Sequence, residues 1–215
     1  MMPDKYLEKL FKRFPEITPI RNDINNAFEI IKKCYLNEKT LFICGNGGSA
    51  SDSEHLVAEL MKGFVLSRKI IDPEILSRFD TLYSEDGKIL SNSLQNGLRA
   101  VSLMSHPSLY SAYSNDVNPE MVFAQQLFVL ARQGDVLMAI STSGNARNVR
   151  RAMQVANVKG VDTILLTGNS GGKCASLAKC SIKVPANETY IIQEYHLPIY
   201  HTLALMLEEY FYGGK

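Results

Sequence analysis

The sequence has no tryptophan, four cysteines, four histidines, and no unbroken apolar run longer than five residues. Each scarcity excludes something. A membrane-spanning helix takes about 20 consecutive apolar residues, and the longest runs here, at 127–131, 136–140 and 203–207, fall far short of that. The chain is therefore not expected to cross a bilayer. Its first residues, MMPDKYLEKLFKRF, mix both charges along an amphipathic pattern and lack the apolar centre and small-residue cleavage site of a secretory signal. A cytoplasmic protein is expected. Cys34, Cys44, Cys174 and Cys180 are too scattered for a disulfide scaffold and form no C-x-x-C pair, so buried, reduced thiols are the expectation. Charge of one sign is lacking too: 23 Lys and Arg against 22 Asp and Glu leave +1, so no global basic field is available to hold nucleic acid.

What is present is an ordinary globular composition, 46% hydrophobic and 21% charged over 215 residues, which suits one domain with a real core. Five short aliphatic or β-branched runs bounded by turn residues predict strands at 40–44, 100–104, 135–140, 162–166 and 180–184. Between them lie helical periodicities at 50–64, 119–132, 145–158 and 172–178, with a last helix over 190–211. That alternation predicts an α/β fold, a parallel sheet with helices on both faces. Two further helices, near 4–14 and 20–37, precede the first strand. Apolar stripes on such N-terminal helices suggest a subunit contact, so residues 1–38 are expected to serve oligomerisation. The stretch 65–98 has no clean period and reads as an insertion, either a lid or a subunit contact.

Two strand-to-helix turns are rich in hydrogen-bond donors. The first strand runs into Gly45-Asn46-Gly47-Gly48-Ser49, and the third into Ser141-Thr142-Ser143-Gly144-Asn145. In an open α/β sheet, ligands sit beyond the carboxyl ends of the strands, where backbone N–H groups and a helix N-terminus favour an anion. Neither turn is G-x-G-x-x-G or a P-loop, which disfavours a dinucleotide and suits a phosphomonoester. The same residues would also serve as a plain turn and helix cap. On the helix after the first turn, His55 and Glu59 stand at i, i+4 and share a face. The last helix adds Gln193, Glu194, His196 and His201. At 100° per residue Glu194 falls nearly on the His201 stripe and Gln193 about 80° away, so spacing favours Glu194 as the partner of His201. Pro198 can bend the helix there.

Together, G45-N-G-G-S49, H55-L-V-A-E59-L, S114-N-D116, S141-T-S-G-N145 and Q193-E-Y-H-L-P-I-Y-H201 resemble the sugar isomerase (SIS) domain and, within it, the phosphoheptose isomerase group. The resemblance spans about residues 1–64 and 100–213. It implies a single domain with a five-stranded parallel sheet between helical layers, a homotetramer with active sites between subunits, and a sugar phosphate as substrate. The implied reaction converts sedoheptulose 7-phosphate to D-glycero-D-manno-heptose 7-phosphate. Carried over residue by residue, Asn46, Gly47, Gly48 and Ser49 match the first substrate-binding turn, Asn115 and Asp116 the family's Asn-Asp pair, and Ser141, Thr142 and Ser143 the phosphate loop. His55, Glu59, Gln193 and His201 match a site for one zinc ion per subunit, so the resemblance selects Gln193 where spacing favours Glu194. Glu59 and His201 match the acid/base pair, and Glu59 and Gln193 also belong to the implied substrate site. Departures from the family pattern are Ala146 where a sixth loop residue is usually Ser, Lys62-Gly63 where Gly-Arg is usual, Tyr190 where some members have an acidic residue, and the long 65–98 segment. Two other readings remain open: a non-catalytic sugar-phosphate-binding or adaptor protein on the same scaffold, and an isomerase or deaminase of another phosphosugar.

Overall fold

The computed structural model describes residues 4–214. Five strands, β1 (Leu41–Cys44), β2 (Ala100–Ser102), β3 (Val136–Ser141), β4 (Asp162–Thr167) and β5 (Cys180–Lys183), form one sheet in the order β2-β1-β3-β4-β5. Every pairing is parallel. The central strands are apolar along their whole length because both faces are covered. Alternation decides which residue faces which layer. Leu41, Ile43, Met138, Ile140, Ile164 and Leu166 point to one core. Phe42, Cys44, Leu137, Ala139 and Leu165 point to the other. The four cysteines are free and buried, as expected.

The first core is closed by α1 (Asp4–Arg13), α2 (Arg21–Leu36), α3 (Gly48–Met61) and α8 (Thr189–Tyr212); the second by α6 (Val122–Leu130) and α7 (Arg147–Val158). All five expected strands are found, with ends shifted by a residue or two. The 172–178 helix is a 3₁₀ segment, Gly172–Leu177, and residues Pro119–Met121 ahead of α6 are 3₁₀ as well. The two N-terminal helices exist, but Leu7, Leu10, Phe11, Ile24, Phe28 and Ile31 are buried inside this chain's own core. Their stripes are thus already covered.

Two helices have no counterpart in the sequence reading. One is α5 (Pro107–Asp116), which opens on a proline in its first turn and buries no residue. The other is α4 (Pro73–Ser93), inside the 65–98 segment. Asp72 caps it by accepting from the Glu74 and Ile75 N–H groups. The helix breaks at Ser84, whose φ of 49° is left-handed, and Gly87 alone is buried. Ile75, Leu82, Tyr83 and Ile89 are exposed. No described helix is long and apolar enough to cross a membrane.

On α8, His196 is fully buried, and among the described residues neither ring nitrogen meets a hydrogen-bond partner. Burial pushes its pKa down to about 4, with the Thr167 backbone opposing the shift. Below pH 6.5 the unfolded chain binds a proton that the folded chain refuses. The stability tied to the neutral ring is therefore fully present above pH 6.5 and is lost as pH falls toward 4, by about 3 kcal/mol in all. Urea denaturation at pH 7 and pH 4 should show wild type losing that much more than His196→Leu. Equal losses in the two proteins would remove His196 from the acid response.

Candidate active site

The glycine turn between β1 and α3 brings three elements close together. Gly48 opens α3 with the Gln193 side chain packed on it: a Cβ there would stand 2.6 Å from Gln193 Nε2. Any larger residue at 48 would push the Gln193 amide from its place. Asn46 and Asn148 exchange two side-chain hydrogen bonds, 2.9 and 2.8 Å, which tie the glycine turn to the start of α7. Ser49 and Ser141 are buried, Thr142 is half-buried and Ser143 is exposed. Gly144 has φ 63°, and a Cβ on it would meet Gly171 O at 2.0 Å, so the serine-threonine loop can close only over glycine. Both turns lie at the carboxyl ends of adjacent strands, β1 and β3.

A second cluster lies further along α3, where it packs against α8. His55 Nε2 is 3.4 Å from Glu59 Oε1 and 3.5 Å from His201 Nε2. The opposite edge of the His55 ring is held by a relay. Tyr200 donates to Asp52 Oδ1 at 3.1 Å, and its oxygen lies 3.1 Å from His55 Nδ1. With the hydroxyl proton committed to Asp52, the Tyr200 oxygen accepts from Nδ1–H and leaves His55 Nε2 carrying a lone pair. Burial raises the pKa of Tyr200, helped by the Asp52 carboxylate, and keeps its proton in place. Asp52 is raised as well, by burial, against its bond from Tyr200. His201 is pushed down, first by burial and then by His55, which favours its neutral ring. Phe64 covers it from one side at a centroid distance of 5.4 Å.

Lone pairs and a carboxylate facing one another at these distances suit a shared cation. Adjacent ligands of a tetrahedral ion with bonds near 2.0–2.1 Å stand about 3.4 Å apart, which is the length of both edges through His55. An Asp–Tyr relay behind the ligating imidazole is the kind of support such ligands carry. The third edge is open. Glu59 and His201 make no ion pair, and among the described residues no group of three or more His, Cys, Asp or Glu side chains is placed to hold a metal ion. Glu59 Oε2 instead pairs with Lys62 Nζ at 3.0 Å.

The structure brings His55, Glu59 and His201 together, and separately Asn46, Gly47, Gly48, Ser49, Gln193 and the 141–143 loop. It does not bring Gln193 to His201. Eight residues separate them on α8, about 12 Å of helix. Glu194 shares a cavity of about 430 Å³ with His201, Phe64, Lys9, Lys12 and Arg13, so the spacing argument placed it on the correct face. Asn115 and Asp116 sit on the exposed last turn of α5, with Asn115 Nδ2 donating to Asp116 Oδ1 at 2.8 Å.

Family models of the SIS domain match residues 5–97 and 108–208. The chain is 36% identical over 204 residues to a phosphoheptose isomerase of Nitratiruptor sp., an alignment covering 95% of this chain and 94% of the relative. The chain belongs to the phosphoheptose isomerase family of SIS-domain proteins. A phosphoheptose isomerase of Helicobacter pylori is 33% identical over 215 residues, 98% of each chain. The solved structure of the Neisseria gonorrhoeae phosphoheptose isomerase superposes with a TM-score of 0.73 at 29% identity, covering 95% of this chain and 96% of that one. The Francisella tularensis phosphoheptose isomerase, at 23% identity and a TM-score of 0.74 over 96% of each chain, shares the fold. A member of the phosphoheptose isomerase family is an aldose–ketose isomerase, and the enzyme class of this chain follows.

Several residues that build this cluster and the turns beside it escaped the sequence reading. Asp52 lies three residues before His55 and Tyr200 directly before His201, so helical spacing could have found the first. Asn148, 102 residues from Asn46, gave no signal. One departure from the family pattern has a structural consequence: Ala146 occupies the N-cap of α7 and offers no side-chain bond. Ala146→Ser should raise stability by about 1 kcal/mol through the restored cap. Urea denaturation measures this, and an unchanged midpoint would show that the N-terminus of α7 needs no hydroxyl.

Proposed function

We propose that this enzyme interconverts sedoheptulose 7-phosphate and D-glycero-D-manno-heptose 7-phosphate through an enediolate. The observation that carries the proposal is the convergence of His55, Glu59 and His201 in a chain of this family. Isomerisation moves one proton between C1 and C2 and another between their oxygens. The Glu59 carboxylate takes the proton from C1 of the ketose and returns it to C2. His201, kept neutral by burial, moves the proton between O1 and O2. The phosphate is held by the hydroxyls of Ser141, Thr142 and Ser143, with Asn46, Ser49 and Gln193 on the sugar and Asn115 and Asp116 completing the substrate contacts. A non-catalytic binding protein would have no use for the Asp52–Tyr200 support behind His55.

His55, Glu59 and His201 supply suitable donors for one zinc ion per subunit, with Gln193 as the fourth ligand implied by the family pattern. Bound there, zinc would polarise the substrate carbonyl. Zinc content measured by elemental analysis should fall from about one per subunit in wild type toward none in His55→Ala. Equal content in both would exclude His55 as a ligand.

Ser49 and Glu59 are ten residues apart on α3, about 15 Å along the axis. The carbonyl carbon and phosphorus of an extended seven-carbon ketose phosphate are seven bonds and only about 9 Å apart, at roughly 1.3 Å of advance per bond. This mismatch supports a homotetramer in which the turns of one subunit meet the Glu59–His201 cluster of another. The exposed apolar side chains of α4 suit a subunit contact. The reading is tested by incubating zinc-loaded protein with sedoheptulose 7-phosphate and following aldose formation. Turnover is expected. Inactivity on every five- to seven-carbon ketose phosphate would refute it.

A further inference from the structure

A cavity of about 460 Å³ beside the start of α7 is lined by Arg147, Arg150, Arg151 and Lys173, with Asn145 and a single carboxylate, Glu120. Four cations in one cavity stand out in a chain whose formal charge is +1. Glu120 is committed to Arg147, Oε1 to Nη1 at 2.8 Å. Arg151 has only the neutral Gln154 oxygen, at 3.1 Å. The Arg150 Nε is buried with no hydrogen-bond partner among the described residues. The one anion present already feels the whole cluster: Glu120 is held below its ordinary pKa, first by the hydrogen bond from Arg147 and then by the charges of Arg147, Arg151 and Arg150.

The cavity meets the serine-threonine loop at Asn145, and its lining includes none of Asn46, Ser49, Ser141, Thr142, Ser143 and Gln193. Glu120 and Arg151 also line a second, apolar cavity of about 400 Å³, bordered by Met121, Phe128, Val155 and Val158. Phe128 is 60% exposed and Val158 88%, although both are apolar. Lys159 lies over Phe128 at 5.1 Å from the ring centroid, which orders the ring. A cationic half made of arginine forks and an apolar half with an exposed aromatic ring match an anion with a flat apolar end.

We infer that these adjoining cavities together form a second ligand site for a nucleoside diphosphate, with the diphosphate on Arg147, Arg150, Arg151 and Lys173 and the base against Phe128. Arginine suits this task because its planar fork pairs with two phosphate oxygens at once. The size fits, since a nucleoside diphosphate falls within the roughly 300–1,000 Å³ usual for small-ligand sites.

Isothermal titration of the intact zinc-loaded protein with ADP and with inorganic pyrophosphate at low salt tests the inference. Both should bind, ADP the more tightly, and both should weaken as salt rises. The single variants Arg147→Ala and Arg151→Ala should each weaken both ligands at least tenfold, the loss expected for a charge-assisted hydrogen bond. Phe128→Ala should weaken ADP severalfold and leave pyrophosphate unchanged. Saturating sedoheptulose 7-phosphate should leave ADP binding intact. Circular dichroism checks that the variants, all at exposed or half-exposed positions, remain folded. The inference is overturned if wild type binds neither ligand below 1 mM, if the arginine variants bind as well as wild type, or if the sugar phosphate displaces ADP. Pyrophosphate binding as tightly as ADP would overturn the nucleoside half.

Discussion

Replacing Glu59 with Gln should lower kcat by about 10²- to 10⁴-fold, the contribution of a positioned general base, while the sugar phosphate still binds. The substitution keeps size and shape and removes the carboxylate proposed to take the C1 proton. The proposed phosphate contacts lie on the Ser141–Ser143 loop after β3 and not on the Glu59 side chain, so KM should move far less than kcat. Stability should change little, because the side chain's direct charged partner, Lys62, is an exposed lysine whose ion pair contributes at most about 1 kcal/mol. Steady-state kinetics and calorimetric titration with the substrate separate these effects. A variant that turns over at the wild-type rate would transfer the base role to another group, and one that no longer binds would make Glu59 chiefly a binding residue.

Replacing Glu208 with Ala should cost about 3–5 kcal/mol of stability, the loss seen when one partner of a buried ion pair is removed. Glu208 and Arg68 are both fully buried, with Arg68 Nε 2.9 Å from Glu208 Oε1. The carboxylate also accepts from the backbone N–H groups of Phe64, Val65 and Leu66. Its removal strands a buried guanidinium and leaves three half-buried backbone N–H groups without their acceptor. Against a usual total of about 5–15 kcal/mol, such a loss brings the fold near its limit. Activity should fall as well. Arg68 donates to the Leu60 and Glu59 carbonyls, fixing the end of α3, and the clamped loop carries Phe64 against His201. Urea denaturation gives the stability change. The double replacement Arg68→Met, Glu208→Leu should recover part of it, since no charge is left unpaired. A loss below 1 kcal/mol in Glu208→Ala would show that water reaches Arg68.

The fold was largely legible because a parallel sheet buried on both faces writes itself as short apolar runs between turns. Helices α4 and α5 were not legible for the same reason inverted. Both are exposed, so neither carries a buried stripe, and Ser84 interrupts the period of α4. In the site, His55 and Glu59 announced themselves through i, i+4 spacing and the turns through their glycines. The supports did not. Arg68 and Glu208 are 140 residues apart and Asn46 and Asn148 102 apart, pairings that only the closed sheet creates. His196 stands in the sequence beside Gln193 and His201 with no role assigned to it, and its angular position on α8 turns it into the core.

The central claim, proton transfer at C1 and C2 through an enediolate, is tested most directly by running the reaction in D₂O and locating the label by NMR. A carboxylate base that exchanges its proton with solvent predicts deuterium at C2 of the aldose, with label also entering C1 of recovered ketose. Aldose formed at full rate with no deuterium at either carbon would indicate hydride transfer between the two carbons and would contradict the role given to Glu59.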